Sequence, residues 1–143
     1  MTRLRKFLHV YSGIFFAENS AVGLCFLGVT FVNWNVGAAG LVAILAAWIF
    51  EKLTFPARRA FQPFYFYNAL LVGLSIGALF ALSPLTILFV ASAAIFVYVL
   101  TVSMENLFSR LLGLPILSLP FAIVSSLCYL FALRNTNLFV NHL

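Results

Sequence analysis

Long apolar runs separated by short polar segments dominate the chain. The runs cover residues 7–32, 36–50, 63–82, 85–104 and 114–133. A helix rises about 1.5 Å per residue, so about 20 apolar residues cross a hydrocarbon core of about 30 Å. The run 36–50 reaches that length only with its flanking residues. The pattern predicts an all-α integral membrane protein, residues 1–143 forming a single transmembrane domain with about five transmembrane helices.

The first run is interrupted near its middle by Glu18, Asn19 and Ser20. A carboxylate and an amide are costly at membrane depth, and broken backbone is tolerated there only where it lines protein or a cavity. The run 7–32 is therefore predicted to be a discontinuous element.

The last run contains Pro115 and Pro120. Proline removes a backbone donor and frees carbonyl groups, which predicts a bent or half-unwound helix. Gly73 and Gly77 have the spacing of close helix packing, which we favour over a substrate role. The run 85–104 carries no functional signal and is assigned to scaffold.

Composition supports the membrane assignment. Of 143 residues 64% are apolar and 8% charged, against roughly 45–50% and 25% in soluble domains. So few charges cannot cover a water-facing surface. The net charge of +5 comes from basic residues at the ends of apolar runs, which is typical of topology signals and excludes a nucleic-acid partner.

The basic residues also predict an orientation. With five crossings, the N-terminus shares one side with two predicted loops, residues 51–62 and 105–113, which are bounded by Glu51 and Glu105. Seven of the eight Lys and Arg residues lie on that side; Arg134 alone lies opposite. The positive-inside rule makes that side cytoplasmic, in a cell inner or plasma membrane. An odd number of crossings is expected of one half of an inverted repeat.

The sequence contains no recognisable catalytic or metal-binding motif. The sequence has no Ser/His/Asp set, no metal-ligand spacing and no phosphate loop, so we expect no enzyme activity, no metal and no cofactor. Cys25 and Cys128 lie inside apolar runs and are predicted to be small buried hydrophobic residues. His9 is interpreted as an interfacial residue.

Three stretches resemble motifs of the urea transporter family. Residues 114–121, LPILSLPF, match the box L-P-x-x-T-x-P-F with serine for threonine. Residues 67–73, YNALLVG, resemble Y-N-G-x-L-V-G with alanine for the first glycine. Residues 16–24, FAENSAVGL, are similar to F-x-N-N-P-x-S/T-G-L and keep Phe16, Asn19, Gly23 and Leu24. Their order fits one repeat, and the likeness covers nearly the whole chain.

The resemblance implies a passive pore lined by a re-entrant half-helix, the Y-N segment and the proline-bent helix. Family members carry two such halves in inverted orientation, and three chains assemble, each with its own pore. The chain corresponds to one half, so we expect a second copy of the repeat. It would come from an antiparallel homodimer, from a different half-chain, or from the rest of a longer protein.

A planar amide such as urea needs acceptors for its N–H groups once water is removed. The hydroxyl of Ser118, between the two prolines, and neighbouring freed carbonyls are candidate acceptors. The resemblance adds Asn68 and Phe121 to the pore and implies an apolar slot formed by Phe16, Ile14 and Leu71.

Each assignment has an alternative. A membrane serine commonly bonds back to its own helix, Phe16 is one of 17 phenylalanines, and Glu18 with Asn19 lies either at an interface or at the pore mouth.

The family's glutamine or glutamate position is Gly13 here, and Ala69 and Ser118 also depart from the motifs. These changes leave a related amide or water open as the solute. Two other functions stay open, a proton-coupled transporter that uses Glu18 and a non-transporting membrane subunit.

Overall fold

The computed structural model describes residues 3–14, 19–55, 63–111, 113 and 116–134, with side chains from residue 8 in the first range and residue 65 in the third. Within these residues the regular structure is entirely helical, which confirms the all-α prediction. The helices are α1 (Arg3–Gly13), α2 (Ser20–Thr30), α3 (Trp34–Thr54), α4 (Pro63–Leu79), α5 (Pro84–Leu111) and α6 (Leu119–Arg134). Phe16, Glu18 and Pro115 lie outside the described residues.

The first apolar run forms two short helices. Helices α1 and α2 have 11 residues each, or about 16 Å, roughly half of a hydrocarbon core. Asn19 caps α2 by accepting a hydrogen bond of 2.9 Å from the backbone N–H of Ala21. Gly23 allows the two helices to cross in close contact, since a Cβ there would collide with the carbonyl of Leu8.

Two of the described helices are long and apolar enough to cross a membrane, α3 with 21 residues and α5 with 28. Helices α4 and α6 are apolar but shorter, with 17 and 16 residues. The structure thus supports two full crossings by length, and the number five stays a prediction.

Polar segments that the sequence assigned to loops are partly helical. Helix α3 continues through Glu51, which is only 3% exposed, and α5 continues through Glu105 to Leu111. Glutamate, lysine and arginine are good helix formers, so apolarity ends before helicity does. The expectation that Glu51 and Glu105 bound loops is therefore wrong.

Helix α4 lies at the centre of the fold. Its residues 66–70 are all buried, which requires neighbours on every side, and α1, α3, α5 and α6 pack against it. A Cβ at Gly73 would lie 2.6 Å from the Cβ of Ala43, and one at Gly77 would lie 2.7 Å from that of Ala39. Both glycines therefore let α4 approach α3 closely, as the spacing predicted.

The outer surface of the bundle is apolar. Large hydrophobic side chains are exposed on each helix from α2 to α6, which suits contact with lipid better than contact with water. Cys25 is exposed on α2 whereas Cys128 is buried, and both are free thiols. The prediction of a buried residue is thus right for Cys128 and wrong for Cys25, because that side of α2 faces away from the other helices.

The final helix begins later than predicted. Residues 116–118 are not helical, and α6 starts at Leu119. Pro120 lies in the first turn of α6, where a missing N–H costs no hydrogen bond. Pro120 therefore helps to start α6, and the preceding residues 116–118 are not helical. The bent or half-unwound helix stays a prediction, because Pro115 lies outside the described residues.

Candidate functional site

Asn68 joins three elements of the fold. It is fully buried on α4, and its Nδ2 donates hydrogen bonds to Thr101 Oγ1 of α5 at 3.3 Å and to the carbonyl oxygen of Leu117 at 3.2 Å. Thr101 in turn donates to the carbonyl of Val97 at 2.7 Å, so its oxygen is oriented to accept from the amide. Through these two bonds, the Nδ2 of Asn68 holds α4 together with α5 and with the segment that precedes α6.

The segment that Asn68 holds has an unusual backbone. Leu117 has a φ of 51°, in the left-handed region, which costs a residue with a branched side chain about 1–3 kcal/mol. Ile116 beside it is buried, and its carbonyl accepts a hydrogen bond of 3.3 Å from the N–H of Leu119. The buried Ile116 and the hydrogen bond from Asn68 together hold this turn in a conformation that the chain alone disfavours.

Ser118 follows directly and is exposed. Its carbonyl accepts from the N–H of Ala122 at 3.0 Å and so opens α6. Its hydroxyl has no hydrogen-bond partner among the described residues. By contrast, the hydroxyls of Ser92 and Ser126 donate to the carbonyls four residues before them, at 2.9 and 2.8 Å. Back-bonding therefore accounts for Ser92 and Ser126. The carbonyls three and four residues before Ser118 lie outside the described residues, so both alternatives stay open for Ser118.

The end of α1 lies beside the Y-N segment. A Cβ built on Gly13 would lie 3.9 Å from the Cβ of Tyr67, an ordinary contact distance. Ile14, the next residue, is half-buried and packs against the core. The structure thus brings the neighbourhood of the first motif to the second, while the predicted positions Phe16 and Glu18 lie outside the described residues.

Asn19, which the sequence predicts at the pore mouth, is the N-cap residue of α2. Asparagine is favoured at N-caps, so its presence here is explained without contact to a solute.

The predicted apolar positions are only partly buried. Leu71 on α4 and Phe121 on α6 both pack against the core with part of their surface open. Such side chains are available to form one wall of a slot. Leu71 belongs to the central helix α4, Ile14 directly follows α1, and Phe121 belongs to α6; both α1 and α6 contact α4.

Two residues of the site were missed from the sequence. Thr101 belongs to the run assigned to scaffold, yet it accepts from Asn68. Glu105 lies one turn further along α5, and its Oε2 is buried with no hydrogen-bond partner among the described residues. The signal that could have found them is their spacing of four, which puts both on one face of a helix.

The comparison with protein families agrees with the motifs. The family model described as urea transporter matches residues 4–143. A comparison with curated proteins finds no match. The match spans almost every residue. It includes Asn68 in the Y-N segment and the turn at Leu117 to which Asn68 is hydrogen-bonded. The chain belongs to the urea transporter family, whose members are membrane-integral transport proteins rather than enzymes.

Proposed function

We propose that the chain forms one half of a passive channel for urea or a similar small neutral amide. The observation that carries this proposal is the exposed position of Ser118, at the point where the backbone leaves the Leu117 turn and enters α6. An exposed hydroxyl can accept an N–H and donate to a carbonyl. Urea carries both groups.

In this proposal, apolar side chains complete the site. Phe16, Ile14 and Leu71, together with Phe121, would form a slot that a flat neutral molecule enters without a charge partner. An ion would have to give up its water there for apolar contacts, which is far more costly. Selection against ions therefore needs no charged residue in the pore.

The second wall of the pore comes from another repeat. An inverted-repeat site needs two broken elements that meet from opposite sides of the membrane. Here α1 and α2 with the Leu117 turn supply one such set. The other set comes from an antiparallel copy, from a different half-chain or from a further part of the same protein. Three such pores form the complete assembly.

The proposed topology has five crossings with the N-terminus in the cytoplasm. In this topology the run 7–32 counts as the first crossing, although α1 and α2 pack side by side with Gly23 against Leu8; α3, α4, α5 and α6 make the others. Helices α4 and α6 then run in the same direction. This agrees with their contacts: Asn68 meets Leu117, and Ser75, seven residues after Asn68, meets Ser125, eight residues after Leu117, at 2.9 Å.

Stopped-flow light scattering of reconstituted vesicles tests the proposal. Vesicles that contain the protein should take up urea faster than empty vesicles, at a rate that a pH gradient does not change. Urea flux equal to that of empty vesicles would contradict the channel and favour a non-transporting subunit.

A proton-coupled transporter is the second candidate. Glu18 is its basis in the sequence, and the buried Oε2 of Glu105 adds a second carboxylate near Tyr67. Uptake that follows an imposed pH gradient would favour this mechanism over the passive channel.

A further inference from the structure

Two buried oxygen atoms on the helices α4 and α5 lack a hydrogen-bond donor. They are Asn68 Oδ1 and Glu105 Oε2, and neither has a partner among the described residues. A buried acceptor that gives up water without gaining a donor destabilises the fold. Both atoms therefore call for a donor or a positive ion.

The fold brings these two residues into one neighbourhood. Asn68 on α4 donates to Thr101 Oγ1 on α5, and Glu105 lies one turn, about 5.4 Å, further along the same face of α5. The hydroxyl of Tyr67 interacts with the side chain of Asn68 and is within electrostatic range of Glu105. Three oxygen-bearing side chains from two helices thus share one region of the α4–α5 contact.

The amide of Asn68 is held so that its oxygen is left over. Nδ2 donates to Thr101 and to the carbonyl of Leu117, which uses both of its hydrogens. Asn68 is fully buried, so Oδ1 has no contact with bulk water. A ligand for this oxygen has to lie inside the fold.

The charge of Glu105 indicates the kind of ligand. The Lys and Arg side chains that the structure describes, Lys52, Arg110 and Arg134, are all exposed, and none of them forms an ion pair with Glu105. A carboxylate oxygen held away from water favours a positive partner over a neutral one. The described residues contain no group of three His, Cys, Asp or Glu residues that could hold a metal ion. A single carboxylate with neutral oxygens suits an ion of a single positive charge.

We propose that a small monovalent cation binds between α4 and α5, with the Glu105 carboxylate, Asn68 Oδ1 and the Tyr67 hydroxyl as ligands. Calcium contacts oxygen at about 2.3–2.6 Å, and sodium is of nearly the same size. One ion of this size bridges oxygens about 5 Å apart, a separation close to one helical turn. Metal-ligand motifs in the sequence do not reveal such a site, because its ligands come from two helices and include only one carboxylate.

The ion would link Glu105 to the amide that supports the Leu117 turn. It would therefore stabilise the contact of α4 with α5 and with the segment before α6. A resident ion of this kind is distinct from the permeating solute, so the inference goes beyond the proposed function.

A protonated Glu105 with an ordered water molecule is the alternative, since water can donate to both oxygens. That arrangement predicts a stability that is the same whichever cation is present. The experiment therefore compares cations at constant ionic strength.

Thermal unfolding of the purified full chain in detergent gives the first measurement. Sodium chloride and potassium chloride are each compared with choline chloride, whose cation is too large for the site. At ten times its dissociation constant, the bound ion should lower the unfolding equilibrium constant about tenfold. The midpoint of unfolding should then rise by about 3–6 °C over its value in choline.

Glu105→Gln keeps the size of the side chain and removes its charge, so the response to the cation should be lost. Glu51→Gln is the matched control, because Glu51 is also a buried carboxylate but lies on α3. That variant should respond as the unmodified protein does. A response that Glu105→Gln retains, or that Glu51→Gln also loses, would overturn the assignment.

Equilibrium binding of radioactive sodium or rubidium, the latter as a tracer for potassium, to the unmodified protein covers the case in which Glu105→Gln fails to fold. We expect saturable binding that excess unlabelled ion displaces and choline does not. Absence of binding, or an equal midpoint in all three salts, would overturn the inference. Neither measurement uses urea, so a failure of the proposed channel and a failure of the cation site are seen separately.

Discussion

The side-chain amide of Asn68 donates a hydrogen bond to the carbonyl oxygen of Leu117, 49 positions later in the chain. This bond reaches the one described non-glycine residue with a positive φ. Ser118 is the next residue, so the direction of its hydroxyl depends on the amide of α4. The sequence expectation that Asn68 contacts the solute becomes a proposal that it positions the residue that does.

Replacing Asn68 by leucine tests this dependence. The change keeps the size of the side chain and removes both donors, so the left-handed turn loses its support from α4. We expect the free energy of unfolding to fall by about 1–3 kcal/mol, as for a broken buried hydrogen bond, and urea flux to fall with it. Thermal unfolding in detergent and vesicle flux measure the two effects.

Two substitutions of Thr101, the hydrogen-bond acceptor of Asn68, complement that test. Thr101→Val removes the acceptor of the Asn68 amide and should reproduce part of the loss, while Thr101→Ser keeps the hydroxyl and should not. Equal behaviour of the two Thr101 variants would contradict a positioning role for this network.

Ser118→Ala tests the proposed pore hydroxyl directly. Ser118 is exposed, so removal of its hydroxyl should leave stability nearly unchanged and reduce urea flux about two- to tenfold. Ser92→Ala is the control, because that hydroxyl only bonds back to the carbonyl of Leu88. Similar flux through both variants would count against the pore assignment.

Gly73→Ala tests the packing of α4 on α3. The added methyl group would lie 2.6 Å from the Cβ of Ala43 and 2.7 Å from the carbonyl oxygen of Ala39. Overpacking of this kind costs about 1–3 kcal/mol, which exceeds the helix propensity gained from alanine. We expect a lower midpoint of thermal unfolding.

Gly28→Ala is the matched control for Gly73→Ala. A Cβ at Gly28 meets nothing within 4 Å, so alanine there should leave the protein as stable or raise its stability by about 0.5–1 kcal/mol. If Gly73→Ala unfolded at the same temperature as Gly28→Ala, the close contact of α4 with α3 would be wrong.

The two carboxylates separate a passive channel from proton coupling. Glu18→Gln and Glu105→Gln remove an ionisable proton while keeping size and most hydrogen bonding. A passive channel predicts that urea flux between pH 5 and 8 is nearly the same in both variants and in the unmodified protein. Loss of a pH response in either variant would identify that carboxylate as the proton carrier.

The part of the site that could not be predicted from the sequence depends on long-range contacts. Apolar runs and the Gly73–Gly77 spacing predicted helices and their packing, because these depend on local composition and on residue size. The partnership of Asn68 with Thr101 and Leu117 depends on contacts 33 and 49 positions apart. No local pattern encodes such a distance.

Helix ends were the other source of error. The sequence predicts loops at Glu51 and Glu105 because charged residues commonly end an apolar span, yet a helix continues into the interface wherever its residues favour helix. At the other end of a helix, the two prolines predict a bent or half-unwound segment. Pro120 lies in the first turn of α6, and residues 116–118 before it are not helical.

The orientation of the chain in the membrane decides which second repeat is available. Seven of the eight basic residues are expected on one side, which favours a single orientation with the N-terminus inside. An antiparallel homodimer needs the chain to insert equally in both orientations, whereas a second half-chain or a longer protein does not.

A cysteine placed at Leu143, with Cys25 and Cys128 replaced by serine, reports the orientation through a membrane-impermeant maleimide. We expect labelling from outside the cell only, because the charge asymmetry opposes the inverted topology. Comparable labelling in intact cells and in inverted vesicles would contradict that expectation and support an antiparallel pair, since both faces would then carry the same end of the chain.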